Sequence, residues 1–150
     1  MKPLLIGQAP NRGREPGKPF KGRTGRFLAR AAGMEEREFM SSVRPMNLLD
    51  RWPGKAGKGD RFPLKEGHVA ACRVNLRGNH ALLAGKRVAA SFGIKKPAFL
   101  TCHEVHGGVV WIVPHPSGIN RWWNDPGNRE KAIVFLKAFF ISARERKGKS

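Results

Sequence analysis

The sequence is poor in cysteine and in acidic residues, and it has no long apolar run. Its two cysteines, Cys72 and Cys102, do not form a CxxC pair, so we predict neither a disulfide framework nor a thiolate metal cluster. The longest apolar stretches, such as residues 109–113, are far shorter than the roughly 20 residues that cross a bilayer. Residues 4–6 are too few for a signal peptide. We therefore expect a cytoplasmic protein without membrane contact.

The shortage of acids leaves a large positive charge. Lysine and arginine total 29 against 11 aspartates and glutamates, which gives a formal net charge of +18. This excess repels itself in the folded state, and binding to a polyanion offsets the repulsion. DNA, single- or double-stranded, is therefore the expected partner, although a solubility effect would explain the same charge.

Length and composition indicate one globular domain. The chain has 150 residues, of which 40% are hydrophobic, and this is enough for a buried core. We expect a single domain over residues 1–150 that is a monomer and ends in a frayed basic tail at residues 145–150.

Apolar runs alternate with amphipathic segments along the chain. Runs typical of strands lie at residues 4–6, 43–49, 87–91 and 109–113. Helical patterns lie at residues 24–33, 35–41, 64–83, 94–102 and 126–144, with Thr24 and Asp125 as expected N-caps. Residues 52–63 are predicted to form a solvated loop. The alternation predicts an α/β fold in three layers, α/β/α, around a central, mainly parallel four-stranded sheet.

Two irregular segments are candidates for a functional site. Residues 7–23 are rich in glycine and proline, and residues 114–124 follow the last predicted strand. Long loops inside compact domains are usually functional, and parallel sheets bind ligands outside the carboxyl ends of their strands. Because each segment begins where a strand ends, we expect the two to meet at the same edge of the sheet.

Possible metal ligands are few. The one local group is formed by Cys102, His103, Glu104 and His106. It lacks a second ligand pair and the HExxH spacing, so we predict no metal site and no cofactor. Cys72 is expected to be buried on a helix face.

Two motifs resemble those of a known family. Residues 7–10 followed by residues 17–25 resemble the first motif of bacterial and archaeal uracil-DNA glycosylases, and residues 110–118 resemble the second. Between them, residues 46–49 resemble the strand whose asparagine reads the base, and residues 87–93 resemble the next strand and its glycine. The resemblance covers nearly the whole chain. It implies hydrolysis of the bond between the sugar and uracil, or a related damaged or modified base, in DNA, which leaves an abasic site.

A glycosylase holds an extruded base on an apolar platform, reads its edge and stabilises it as it leaves. The resemblance implies these three roles for Phe20, Asn47 and His115. Phe20 lies in a loop without apolar periodicity, the Asn47 amide offers a donor and an acceptor, and His115 follows a strand between two prolines. Each residue also has a purely structural alternative: Phe20 would anchor its loop on the core, Asn47 would be a turn residue, and His115 would be a structural histidine.

DNA contacts are implied for both irregular segments. The matching positions are Lys18, Lys21, Arg23, Ser117, Gly118, Ile119, Asn120 and Arg121. Ile119 matches an apolar wedge that fills the gap left by the flipped base, and Arg121 is a phosphate contact. Trp122 and Trp123 either contact DNA or pack beneath the last helix.

The first motif differs from that of the family at the positions that activate or orient the attacking water. An acid or a water-positioning asparagine is usual, whereas this chain has Gln8 and Ala9, which are also expected to line the base pocket. Asn11 and Glu15 are the remaining candidates for that catalytic role. The relatives with the closest motifs carry four iron–sulfur cysteines, which this sequence lacks.

These departures keep two other functions open. One is a protein of the same fold that is catalytically weak or inactive and binds DNA or a base without turnover. The other is a basic protein that coats DNA or RNA with no preference for a particular base and with strong salt dependence.

Overall fold

A computed structural model describes residues 2–10, 19–20, 22–116 and 120–148, with the side chains of 146–148 excepted. Within these residues the chain forms a five-stranded sheet and a separate two-stranded sheet. The strands are β1 (Leu4–Gly7), β2 (Arg44–Asn47), β3 (Lys55–Ala56), β4 (Gly59–Asp60), β5 (His80–Ala84), β6 (Thr101–Val105) and β7 (Gly108–Val113). The helices are α1 (Arg23–Ala31), α2 (Glu36–Ser41), α3 (Leu64–Cys72), α4 (Lys86–Ser91) and α5 (Pro126–Gly148), and a 3-10 turn covers Arg121–Asn124.

The large sheet has the order β2-β1-β5-β7-β6. The pairs β1–β2, β1–β5 and β5–β7 are parallel, and only the edge pair β6–β7 is antiparallel. The predicted α/β architecture with a mainly parallel sheet is therefore confirmed. The sheet has one strand more than predicted, because residues 101–105 add an edge strand.

Helices cover both faces of the sheet. Successive residues of a strand point to opposite faces, so Leu4 and Ile6 join one apolar cluster and Leu5 joins the other. The first cluster includes Ala71 of α3 and residues of α4, and the second includes Leu28 of α1 together with residues of α2 and α5. Because both faces are buried, the central strands β1, β5 and β7 consist of nearly continuous apolar runs rather than alternating ones, whereas the edge strand β2 does not.

The third strand lies at a different place from the one predicted. Residues 64–83 were expected to be helical, but α3 ends at Cys72 and His80–Ala84 is a fully buried strand. Residues 87–91, predicted as a strand, belong to helix α4, where Lys86 and Arg87 are exposed and Val88 is buried. A short apolar run fits a buried strand and a buried helix equally well, which explains both errors.

The helix predicted at residues 94–102 is also wrong. These residues run irregularly into β6, where the side chains alternate between half-buried and exposed as on a sheet edge. His106 and Gly107 connect β6 to β7 and both have positive φ angles, of 49° and 79°. A two-residue turn with this geometry matches the twist of paired strands, so residues 101–113 form a β-hairpin.

Three smaller expectations are corrected. Cys72 is exposed rather than buried, because α3 turns Gly67 and Ala71 towards the core. Thr24 is not the cap of α1; Gly22 stands there with φ of 94°. Helix α5 continues past the expected end at Arg144 to Gly148, with no glycine or proline interrupting it between 128 and 147, so the backbone at 145–148 is helical. Residues 149–150 of the expected tail lie outside the described residues.

The expected cap of the last helix is present. The Asp125 carboxylate accepts hydrogen bonds from the amides of Gly127 at 2.8 Å and Asn128 at 3.4 Å. Pro126 occupies the first helical position, where its missing N–H costs nothing. No helix in the described ranges is both long enough and apolar enough to cross a membrane.

The core on the α5 face gives a stability prediction. Phe139 is fully buried, whereas Val134 on the same helix is 70% exposed. We expect Phe139→Ala to lower the free energy of unfolding by about 3–5 kcal/mol, through lost burial and a residual cavity. Val134→Ala is the matched control and should change it by less than about 0.5 kcal/mol. Urea unfolding measures both, and equal effects would contradict this packing.

Candidate active site

The side chains of Phe20 and Asn47 meet at Gly7, the last residue of β1. A Cβ atom at position 7 would lie 2.6 Å from Asn47 Oδ1 and 2.7 Å from Phe20 Cζ. No other residue type fits there without displacing one of them, so glycine is required for this close approach. Asn47 ends β2 as predicted, and it reaches Gly7 because β1 and β2 are paired in parallel with Gly7 opposite Asn47.

The backbone around Phe20 is unusual. Phe20 has a φ angle of 63°, in the left-handed region that side chains seldom adopt. Its carbonyl oxygen packs directly on Gly25 in the first turn of α1, where a Cβ atom would collide with it. The ring is half-buried and packs against the α5-side core. Phe20 is thus held by α1 and is a half-buried residue.

His115 follows β7 at the same edge of the sheet, and two strands, β1 and β5, lie between β7 and the strand of Asn47. A Cβ atom at Gly85 would lie 3.5 Å from His115 Cβ, so the histidine packs on the residue that follows β5. The β1–β5 register pairs Ile6 with Leu83, which brings Gly7 beside Ala84, the neighbour of Gly85. Adjacent strands are about 4.8 Å apart. The contacts at Gly7 and at Gly85 therefore belong to neighbouring strand ends.

The backbone of His115 is fixed by the segment that follows it. Its carbonyl oxygen accepts hydrogen bonds from Asn120 Nδ2 at 3.0 Å and from Trp123 Nε1 at 3.2 Å. Trp123 is only 3% exposed and packs edge-on against Phe27 of α1, with 5.1 Å between ring centroids. Two donors on one carbonyl, one of them from a buried ring, limit how far His115 can move.

Burial controls the charge of His115. Desolvation lowers the pKa of this imidazole below its ordinary value of 6.5, and the Arg87 guanidinium lowers it further, while the Asp60 carboxylate opposes both by raising it. His115 is therefore uncharged at neutral pH and retains one N–H donor. An uncharged imidazole donates a hydrogen bond without the cost of burying a cation.

Asp60 and Arg87 are site residues that the sequence analysis missed. Arg87 Nη1 donates to the Asp60 carbonyl oxygen at 2.7 Å, and Trp52 Nε1 donates to Asp60 Oδ1 at 3.1 Å. Asp60 ends the short strand β4, inside the segment expected to be a solvated loop. Only the folding of this segment against α4 brings the carboxylate near His115, and no local sequence pattern indicates it.

Some of the other predicted site residues are described by the structure and some are not. Gln8 and Ala9 are half-buried, and the Gln8 carbonyl accepts from the Leu49 amide at 2.9 Å, which extends the β1–β2 pairing. Arg23 and Arg121 are exposed. Seven predicted residues lie outside the described residues: Asn11, Glu15, Lys18, Lys21, Ser117, Gly118 and Ile119.

The two tryptophans after the second motif pack together. Trp122 and Trp123 are edge-to-face at 4.9 Å, and Trp122 also meets Phe99 at 6.0 Å. Asn120 Oδ1 accepts the Trp122 amide at 3.2 Å, so Asn120 holds this turn as well as His115. Trp123 is therefore a buried packing residue, but its ring contacts are with Phe27 of α1 and with Trp122 rather than with the last helix.

No group of three or more His, Cys, Asp or Glu side chains in the described part of the chain is placed to hold a metal ion. Cys72 and Cys102 are both exposed, on α3 and on the edge strand β6. These two thiols do not fit a cluster that needs four cysteine ligands.

The electrostatic environment of His115 gives a prediction that NMR titration checks. The pKa of His115 should lie below 6.5. Asp60→Asn removes the charge that raises it and keeps an acceptor for Trp52, so the pKa should fall further. Arg87→Gln should move it back towards 6.5, because a charge that lowers it is lost. Glu66→Gln, which removes an exposed carboxylate from α3, is the control. A His115 pKa above 6.5, or no response to either charge removal, would contradict the described environment.

Comparisons with known proteins agree with the geometry. The family model for the uracil DNA glycosylase superfamily matches residues 1–138. No curated protein matches the chain. The match spans every strand of the sheet, the segments that follow β1 and β7, and most of α5. The chain belongs to the uracil DNA glycosylase superfamily.

Proposed function

We propose that this protein is a DNA glycosylase that hydrolyses the N-glycosidic bond of uracil, or of a related damaged or modified base flipped out of DNA, and leaves an abasic site. Members of the family act on DNA. The observation that carries the proposal is the convergence of Phe20 and Asn47 on Gly7, beside the strand end where His115 packs on Gly85.

The Phe20 and Asn47 side chains can together recognise one extruded pyrimidine. The half-buried ring offers an apolar surface on which the base stacks, and stacking is worth about 1–3 kcal/mol per base. The Asn47 amide offers an acceptor and a donor, which complement N3–H and O4 of uracil. Cytosine presents the opposite pattern at these two atoms, so the same amide orientation discriminates against it. Gln8 and Ala9 follow Gly7 and line the same strand end.

His115 stabilises the leaving base. As the bond between C1′ and N1 breaks, its electron pair goes to the base, and negative charge develops on N1 and O2. An N–H donor fixed at that point stabilises the transition state more than the ground state. The Asn120 and Trp123 hydrogen bonds to the His115 carbonyl support this role because they hold the histidine in place before the base arrives.

The attacking water completes the reaction. Its oxygen bonds to C1′ of the sugar, and its proton passes to a base or to bulk water. We propose Asn11, Glu15 and Gln8 as the candidates for positioning this water. Cleavage with a well-stabilised leaving group develops positive charge on the sugar and depends less on a strong nucleophile, so Ala9 in the family's acidic position is compatible with turnover.

The DNA strand is proposed to lie across the two segments at the carboxyl edge. The first segment carries the cations Lys18, Lys21 and Arg23 for this contact. In the second segment, Ser117, Gly118, Asn120 and Arg121 offer polar groups to phosphate, with Ile119 as the wedge that fills the vacated stack.

His115→Ala tests the chemistry. On the preferred substrate, the single-turnover rate of base release should fall by about 100- to 1000-fold, the usual cost of removing one such donor. Affinity for DNA should change little. Substrates carrying uracil, hypoxanthine, xanthine or 5-substituted pyrimidines, followed by alkaline cleavage of abasic sites, identify the base.

The matched control is His106→Asn, which alters an exposed histidine in the β6–β7 turn and keeps a residue that tolerates positive φ. It should release base at the wild-type rate. If His115→Ala also releases base at that rate, the imidazole has no part in the reaction and the proposed chemistry is wrong.

Asn47→Ala tests recognition separately from chemistry. Inhibition of base release by free uracil should weaken by about 10-fold or more, because a two-point base contact is worth about 1–3 kcal/mol. Asn75→Ala, at an exposed position between α3 and β5, is the control. Unchanged inhibition in Asn47→Ala would contradict the reading of the base edge by this amide.

A second candidate is a protein of the same fold that binds DNA or a base without turnover. Gln8 and Ala9 in place of an acid favour it. It predicts that none of the modified oligonucleotides yields abasic sites, and that free uracil still binds in a manner that depends on Asn47.

A further inference from the structure

A short β-hairpin stands at the edge of the candidate active site and contributes nothing to the core. It consists of β3 and β4, paired with Lys55 opposite Asp60, and Arg61 follows it. Residues 55–58 and Arg61 are all exposed, and none of residues 55–61 belongs to either apolar cluster. Isolated two-stranded hairpins are marginally stable in water. We call residues 55–61 the basic hairpin.

The basic hairpin is attached to the site at one residue. Asp60 accepts Trp52 Nε1 on its carboxylate and Arg87 Nη1 on its carbonyl oxygen. The Arg61 amide closes the base of the hairpin by donating to the Gly54 carbonyl at 2.7 Å. Arg87 lies two residues after Gly85, on which His115 packs, so the attachment point lies at the carboxyl edge of the sheet near the histidine.

The charge of the basic hairpin is one-sided. Lys55, Lys58 and Arg61 are exposed cations, and Asp60, the only acid between them, is half-buried with its carboxylate bonded to Trp52. A concave space of about 620 Å³ opens next to the hairpin, and its charged lining residues are the acids Asp50 and Glu66 and the cations Arg51 and Arg61. These charges are equal in number, so the excess positive charge beside the space comes from the exposed Lys55 and Lys58.

We infer that the basic hairpin binds the phosphates of the DNA strand that flanks the flipped nucleotide, through Lys55, Lys58 and Arg61. This inference rests on the proposed function only for the position of the flipped nucleotide. The cations project from an element without a role in the core, next to the strand ends where Phe20, Asn47 and His115 lie. A strand whose nucleotide enters there must pass close to the hairpin.

The test compares two triple variants that lose the same charge. Lys55→Gln, Lys58→Gln and Arg61→Gln together remove the cations of the hairpin. Lys2→Gln, Arg44→Gln and Arg77→Gln together remove three exposed cations at the amino ends of the strands, the opposite edge of the sheet. Affinity for a fluorescein-labelled duplex is measured between 50 and 200 mM salt, conditions over which phosphate contacts are resolved.

In the hairpin variant, the slope of log affinity against log salt concentration should become less steep by about 2–3, because each lost phosphate contact removes about 0.9 from its magnitude. The opposite-edge variant should lower the slope by less than about 1. Equal losses in the two variants, or no loss in the hairpin variant, would overturn the inference. Both variants carry only exposed substitutions, and unchanged circular dichroism shows that they fold.

Acetylation footprinting provides a second measurement. DNA should protect Lys55 and Lys58 from acetic anhydride and leave Lys2 reactive; protection of Lys2 but not of the hairpin lysines would overturn the inference. If no oligonucleotide yields an abasic site but the hairpin variant still shows a weaker salt dependence of DNA binding, the proposed function is wrong and the inference about the basic hairpin is supported. If base is released but the salt dependence of the hairpin variant is unchanged, the proposed function is supported and the inference is wrong.

Discussion

The candidate site depends on the parallel pairing of β1 with β2 on one side and β5 on the other. In a parallel sheet all the carboxyl ends lie at one edge, so Gly7, Asn47 and Gly85 become neighbours although they are far apart in the sequence. The register then decides which side chains meet. A shift of one residue in β2 would turn Asn47 to the other face of the sheet and remove it from Gly7.

Two glycines lie at the strand ends where these side chains are placed. Gly7 leaves room for the Phe20 ring and the Asn47 amide. Gly85 has a φ angle of 106°, which favours glycine, and a Cβ atom there would make only an ordinary contact with His115. The surrounding structure holds the backbone of all three residues: α1 holds Phe20, the strand pairing holds Asn47, and Asn120 with Trp123 holds His115. Rigid positioning of this kind is what stabilisation of a developing charge requires. Burial keeps the imidazole uncharged by lowering its pKa, and the nearby Asp60 and Arg87 charges tune it in opposite directions.

Much of this arrangement could be predicted from the sequence, because it depends on local patterns. The apolar runs before Gly7 and before His115 predict buried strands, and Asn47 was correctly expected at a strand end. The third strand could not be assigned, since His80–Ala84 and the apolar part of α4 are both short runs without a diagnostic period. The role of Asp60 could not be predicted either. Its bond to Arg87 joins residues 27 positions apart, through a hairpin whose sequence is typical of a solvated loop.

The central claim is that one extruded base contacts Phe20, Asn47 and His115 at neighbouring strand ends. Titration of the ¹⁵N-labelled protein with free uracil tests it most directly. The account predicts that the Gly7 amide, the Asn47 side-chain amide and the Gly85 amide shift together along one saturable curve. Shifts at Gly7 and Asn47 that leave Gly85 and His115 unaffected, even at saturation, would contradict it.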